Sequence, residues 1–173
     1  FLVDSQQNFY FCFFFTRIQV EHPITEAITG IDLVAWQLRI ASGEKLDIVQ
    51  EDVPRCGHAI ECRINAEDAQ FRPQPGTLQS MHLAGGAGVR VDTAVYQGYT
   101  IPPFYDSMIG KLIAFGCDRA QALARMKRAL SEMLFEGIVT NTDYQLSILL
   151  SEAFETAQFH TNSIEDGTFD TKR

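Results

Sequence analysis

The stretch "SMIGKLIAFG", residues 107–116, is apolar on both faces of an extended chain. A strand without a polar face belongs in the middle of a sheet, flanked by other strands. The rest of the chain must therefore supply those strands and the helices that cover them. Its 173 residues are 46% hydrophobic and 21% charged. That is material for one buried core, or one domain plus part of another.

Partner strands are readable nearby. "HAIECRINAED" alternates: Ile60, Cys62, Ile64 and Ala66 point one way, Glu61, Arg63 and Asn65 the other. "QPGTLQSMHL" opens at a Pro-Gly turn, and "GVRVDTAV" follows the flexible "AGGAG". Residues 1–3 and 9–15 predict a hairpin around "DSQQN". Residues 23–42 predict helix, interrupted at Gly30 and restarted with Asp32 as cap, with Leu33, Trp36, Leu38 and Ile40 as apolar surface. The polar, proline-marked "GEKLDIVQEDVPRCG" is the candidate boundary between two units. In "DRAQALARMKRALSEMLFEG", Leu123, Met126, Leu130 and Met133 recur at helical spacing, with Asp118 as N-cap and Gly137 just past the end. "NTDYQLSILLSEAF" predicts a second helix capped near Thr140 or Asn141, and the polar tail from His160 is expected to fray. The fold class is α+β: an antiparallel sheet with helices toward the C-terminus.

Composition narrows the function. The net charge is −8 and no Lys/Arg block exists, so the footprint of a nucleic-acid binder is missing. Cysteines at 12, 56, 62 and 117 form no CxxC or Cys/His cluster, which argues against zinc and for reduced thiols in a cytoplasmic protein. Phe9–Phe15 is far short of the roughly 20 residues a membrane span needs, and no basic leader precedes it. The chain begins mid-pattern without methionine, which suggests a fragment of a longer protein.

Chemistry concentrates in "FYFCFFFTRIQVEHP", residues 9–23. As one strand over 13–21, period 2 would put Phe13, Phe15, Arg17, Gln19 and Glu21 on one face, neighbours about 6.6 Å apart. Ile18 and Val20 would face the other way, and His22-Pro23 would end the strand. A guanidinium, an amide and a carboxylate in line suit a carboxylate-like or bicarbonate-like anion. The glutamate could also take a proton. By spacing alone, the plainer reading is a solvated strand face with Arg17 and Glu21 as a surface pair. Arg63 poses the same choice: it stabilises a developing anion, or it pairs with Glu61. "GGAG" at 85–88 lacks phosphate-loop spacing and enters a strand, so it is a turn.

Several blocks resemble one family: "TRIQVEHPITEAITGIDLVAWQLRIASGEKL", "GHAIECRINAED", "GGAGVRVDT", "YTIPPFYDSMIGKLIAFG" and the "ARMKRAL…GIVTNTDYQL" end. Together they are similar to the C-terminal part of biotin carboxylase, the ATP-grasp subunit or domain of acetyl-CoA carboxylase and related enzymes. The resemblance implies the end of an ATP-grasp domain at 1–45, a linker at 46–56, the biotin carboxylase C-terminal domain at 57–163 and a flexible tail at 164–173. It implies carboxylation of carrier-bound biotin with ATP, Mg2+ (or Mn2+) and bicarbonate. Arg17, Gln19 and the Val20 amide would bind bicarbonate, Glu21 would deprotonate it, and Arg63 would stabilise the biotin enolate. Arg90 would lie near a homodimer interface. Implied partners are a biotin carboxyl carrier protein or domain and a carboxyltransferase, with no nucleic acid and no membrane.

The family's strand reads E-x-N-T-R-x-Q-x-E. Phe13 stands where that pattern has a magnesium-binding glutamate, and Phe15 where it has the neighbouring asparagine. The row is cut off at its metal end. The family's phosphate loop, ATP-binding lysines and second magnesium glutamate precede the matching region, so this polypeptide alone is expected to be inactive. The alternatives are a non-catalytic dimerisation or docking module, or another ATP-grasp ligase such as carbamoyl-phosphate synthase. The "ECRINAED" and "YDSMIGKL" blocks argue against the latter.

Overall fold

A computed structural model describes residues 1–169. It opens with a hairpin, β1 (Leu2–Val3) and β2 (Phe9–Tyr10), with Leu2 opposite Tyr10. Asp4 shapes the turn: its Oδ1 accepts from the amides of Gln6 and Asn8, each at 2.9 Å. The single strand expected over 13–21 does not form. Residues 11–20 are irregular, with a bend at Thr16 and Arg17. Extended backbone is held by a ladder, and among the described residues no strand lies alongside this segment. The premise that Phe13, Phe15, Arg17, Gln19 and Glu21 share one strand face is therefore corrected.

Helix α1 (His22–Thr29) carries Pro23 in its first turn, where a missing N–H costs nothing. Gly30 closes it at φ 71°, and Asp32 starts α2 (Leu33–Ala41) by accepting from the Ala35 amide at 2.8 Å. This is the expected interruption and restart. Residues 42–57 form a connection with one 3-10 turn, Gln50–Asp52.

The remaining strands are β3 (His58–Asn65), β4 (Gly76–Thr77), β5 (Ser80–His82), β6 (Val89–Thr93), β7 (Thr100–Ile101), β8 (Met108–Gly116) and, after a helix, β9 (Leu134–Glu136). β8 lies between β3 and β6 and is antiparallel to both, with Cys62 and Val91 opposite Leu112. Its two apolar faces are thereby explained. Helix α3 (Arg119–Glu132), capped by Asp118 through the Gln121 amide at 2.8 Å, covers the sheet. Its Ala122, Leu123, Met126, Ala129 and Leu130 form one buried cluster with Ile60, Cys62, Ile64 and Leu112. α1 packs against β3 and β8, on the side to which β3 turns its polar residues.

Two helix expectations change. α3 stops at Glu132, not near Gly137: Met133 turns extended and β9 pairs with β5, Ser80 opposite Glu136. Ladder bonds to an otherwise open edge replace the last helical turn. The final helix splits into α4 (Thr142–Leu150) and α5 (Glu152–Glu155), the latter capped by Ser151. Over its described part the tail is laid out in turns. Turns over 161–169 bury Ser163 and bring Phe169 against Phe154 and Phe159. The last four positions of the expected tail, 170–173, lie outside the described residues.

Burial pushes the Cys62 thiol up to about 12, whereas Cys12, Cys56 and Cys117 are exposed. Iodoacetamide near pH 8 should label those three readily and Cys62 only after unfolding. Peptide mass spectrometry would show this, and rapid native labelling of Cys62 would contradict the packing.

Candidate active site

Glu21 occupies the residue just before α1, and Arg63 the polar face of β3. Arg63 Nη2 donates to Glu21 Oε2 at 3.0 Å, and each side chain is 51% exposed. Arg63 thus pairs across the sequence rather than with its strand neighbour Glu61. Its backbone is fixed from α4: Asn141 Nδ2 and Gln145 Nε2 donate to the Arg63 carbonyl at 3.2 and 3.3 Å. Asn141 Oδ1 in turn accepts from the Asn65 amide at 2.9 Å. The N-cap residue of α4 thereby ties that helix to the strand carrying Arg63. The pair opens onto a cleft of about 400 Å3, also lined by His58, Glu61, Arg119 and Phe154.

Two residues not proposed for the site from the sequence bear on this cleft. Lys111 Nζ donates to the Val20 carbonyl at 3.3 Å and lies 3.6 Å from Asp92 Oδ2. It pins the segment just ahead of Glu21 to the sheet. Its signal was present: it is the one charge in "SMIGKLIAFG". Glu61 keeps one oxygen, Oε2, buried without a hydrogen-bond partner. Burial raises its carboxyl above the ordinary 4.5, while Lys111 and Arg63 pull it back.

A raised acid binds more protons folded than unfolded, so its contribution to stability declines as pH climbs from about that ordinary value. Urea unfolding of the parent and Glu61→Gln should diverge in this way, the parent losing stability relative to the variant on the alkaline side. Parallel curves from acid to neutral pH would contradict the burial.

Arg17 and Gln19 are not brought into the cleft. Arg17 Nη1 donates to the Ile18 carbonyl at 3.2 Å, and its guanidinium lies 5.5 Å from the centre of the Phe15 ring. The Gln19 carbonyl accepts from His22 Nδ1 at 2.8 Å. The structure thus unites Glu21, Arg63 and the backbone of Val20, and leaves two of the expected anion ligands outside.

Arg90 lies elsewhere, on β6. Its Nε and Nη2 grip Asp92 and its Nη1 grips Glu26, all at 2.7 Å. The hydrogen bonds from Arg90 hold the Asp92 carboxyl below its usual range. The Glu26 side chain, only 9% exposed, also accepts from the Leu33 amide at 2.9 Å. Arg90 so joins α1 to the sheet beside a cleft of about 640 Å3 lined by Gly30, Ile31, Ile113 and Phe115.

A divalent metal does not fit the row's upstream end. Magnesium takes oxygen ligands, and Phe13 and Phe15 present rings. Among the described residues no cluster of three His, Cys, Asp or Glu could hold a metal ion. No described helix is long and apolar enough to cross a membrane.

An architecture of this kind is found in known proteins, the biotin carboxylases. A family model described as "Biotin carboxylase C-terminal domain" matches residues 61–166, and one described as "Carbamoyl-phosphate synthase L chain, ATP binding domain" matches 1–49. The chain belongs to the biotin carboxylase family. It is 55% identical over 148 residues to the biotin carboxylase of Pseudomonas aeruginosa, covering 85% of this chain and 33% of that protein. To biotin carboxylase 1 of Bacillus subtilis it is 52% identical over 163 residues, covering 93% and 36%. Among solved structures, the biotin carboxylase domain dimer of Hydrogenobacter thermophilus 2-oxoglutarate carboxylase, in complex with MgADP, ADP and bicarbonate, superposes with a TM-score of 0.93. There the identity is 43%, over 99% of this chain and 39% of that one. The chain spans about a third of the length of these curated relatives.

Proposed function

We propose that this chain is the C-terminal part of a biotin carboxylase and supplies the wall of the site that handles bicarbonate and carrier-bound biotin. The observation that carries this is the 3.0 Å pair between Glu21 and Arg63. It joins the two family-matched segments, 1–49 and 61–166, at one solvent-accessible cleft.

The chemistry follows from the two groups. Glu21, as carboxylate, accepts the proton of bicarbonate and leaves a better nucleophile. ATP, held by the preceding part of such an enzyme, would transfer its γ-phosphoryl group to that oxygen, leaving ADP, and the resulting carboxyphosphate would break down to CO2 and phosphate. Arg63, fixed by Asn141 and Gln145, offers a permanent cation to the ureido oxyanion that biotin carries once the released phosphate has taken its N–H proton, before the nitrogen attacks CO2. The Val20 amide flanks Glu21 on the segment that Lys111 anchors. Arg17 and Gln19, from the same segment, complete the anion site once turned inward. The working protein is a cytoplasmic homodimer with the Arg90 region near its interface. It serves a biotin carboxyl carrier protein or domain and the carboxyltransferase of acetyl-CoA carboxylase or a related carboxylase.

The test joins this chain to the preceding two thirds of the Pseudomonas aeruginosa relative, with Phe13→Glu and Phe15→Asn to restore the family pattern. Carboxybiotin and bicarbonate-dependent ATP cleavage are expected from the joined protein, and neither from residues 1–173 alone. A folded joined protein that makes no carboxybiotin would overturn the proposal.

A further inference from the structure

The segment that departs from the family is also where the surface is most aromatic. Phe13 and Phe15 are 63% and 54% exposed. Their rings meet nearly edge to face, centroids 4.9 Å apart at 84°. Phe11 and Phe14 form a second pair at 4.9 Å. The Arg17 guanidinium lies over Phe15, 5.5 Å from the ring centre. The same side chain bonds to the Ile18 carbonyl at 3.2 Å.

We propose that Phe13 and Phe15 form an aromatic seat that holds Arg17 itself, so that this chain takes no divalent cation at this end of the row and keeps Arg17 out of the Glu21–Arg63 cleft. The proposal rests on the biotin carboxylase reading, and adds that this chain has exchanged a metal-binding corner for a cation–π one. The face of a phenyl ring carries negative charge density and attracts a weakly hydrated, planar guanidinium. It cannot replace the water around Mg2+, a hard ion that dehydrates reluctantly and demands oxygen. Phe15 orients Arg17, and Phe13 packs edge-on against Phe15. Phe15 is thus a positioning residue. It decides whether the cation nearest Glu21 in the sequence reaches the anion site.

Two measurements decide it. The first uses residues 1–173 labelled with 15N. Arg17 Nε–H should resonate upfield of a free arginine, shifted by the Phe15 ring current. The shift should survive Phe15→Trp and vanish in Phe15→Leu, which keeps the apolar volume without the ring. An Arg17 signal identical in parent and Phe15→Leu overturns the seat.

The second uses the joined protein and Mn2+ as the probe, followed by electron paramagnetic resonance with ADP present. Phe13→Glu with Phe15→Asn should tighten Mn2+ binding by about tenfold or more over the parent sequence. Equal Mn2+ affinity, at whatever level, overturns the metal half of the proposal. Failure of the family reading shows separately, as absence of carboxybiotin from the restored joined protein. Circular dichroism of each variant excludes unfolding as the cause, and Phe13→Glu alone, which restores the carboxylate, decides the metal half if the double variant does not fold.

Discussion

In the joined protein with the family residues restored at 13 and 15, Glu21→Gln should lower carboxybiotin formation by about 100-fold to 10,000-fold, the usual range for a lost general base. Glutamine has the shape of glutamate and can still accept from Arg63, but it cannot take a proton. The structural effect should be slight. The Glu21–Arg63 pair is 3.0 Å long, yet each side chain is half exposed, and such pairs contribute at most about 1 kcal/mol. An unchanged urea midpoint beside a collapsed turnover would therefore separate chemistry from packing. Arg63→Ala should cost about 100-fold to 1,000-fold by removing the cation beside the developing oxyanion. Arg63→Lys should recover only part of it, because the planar fork is lost. The double variant should fall well short of the product of the single losses, since the two groups act as one unit. Turnover unaffected by Glu21→Gln would return the pair to a surface contact.

What could be read from the residues was what is decided locally. β8 announced its central place through two apolar faces, and β3 through strict alternation. Asp32 and Asp118 cap their helices by bonds that span three residues, so spacing suffices to find them. The misses share one cause: distant partners settle them. Polar alternation over Arg17, Gln19 and Glu21 looks the same on a strand and on solvated irregular chain, and the difference is a partner strand. Met133 falls at helical spacing, but the residues after it pair with Ser80–His82, some fifty positions upstream. In the polar tail, the ring partners of Phe169, Phe154 and Phe159, are likewise set only in three dimensions.

The candidate site divides the same way. Period 2 placed Arg63 on a polar face, but offered Glu61 as its partner. Spacing and family resemblance both picked out Glu21, but only the fold showed that it is the partner of Arg63. Lys111 was legible as a lone charge in an apolar strand. That it reaches the Val20 carbonyl required the packing of α1 against β8. Arg17 is the residue of the family pattern, yet in the fold its guanidinium lies over the Phe15 ring.

The largest loss of stability should come from Leu112→Ala. Leu112 is 0% exposed at the centre of β8, opposite Cys62 on one side and Val91 on the other, in the cluster that includes Met126 and Leu130 of α3. Removing its isobutyl group opens a cavity that three strands and a helix cannot readily close. The expected cost is about 2–5 kcal/mol, against a total of about 5–15 kcal/mol for a typical domain. The urea midpoint should fall steeply while the slope stays constant, because the unfolded surface is little altered. Leu112→Met, which keeps volume, should cost less than about 1.5 kcal/mol. The difference between the two variants measures the cavity itself. The loss should also reach the cleft through β3, which pairs with β8 along its whole length and carries Arg63 directly opposite Lys111. A midpoint for Leu112→Ala within error of the parent would show that β8 is not the keystone of this core.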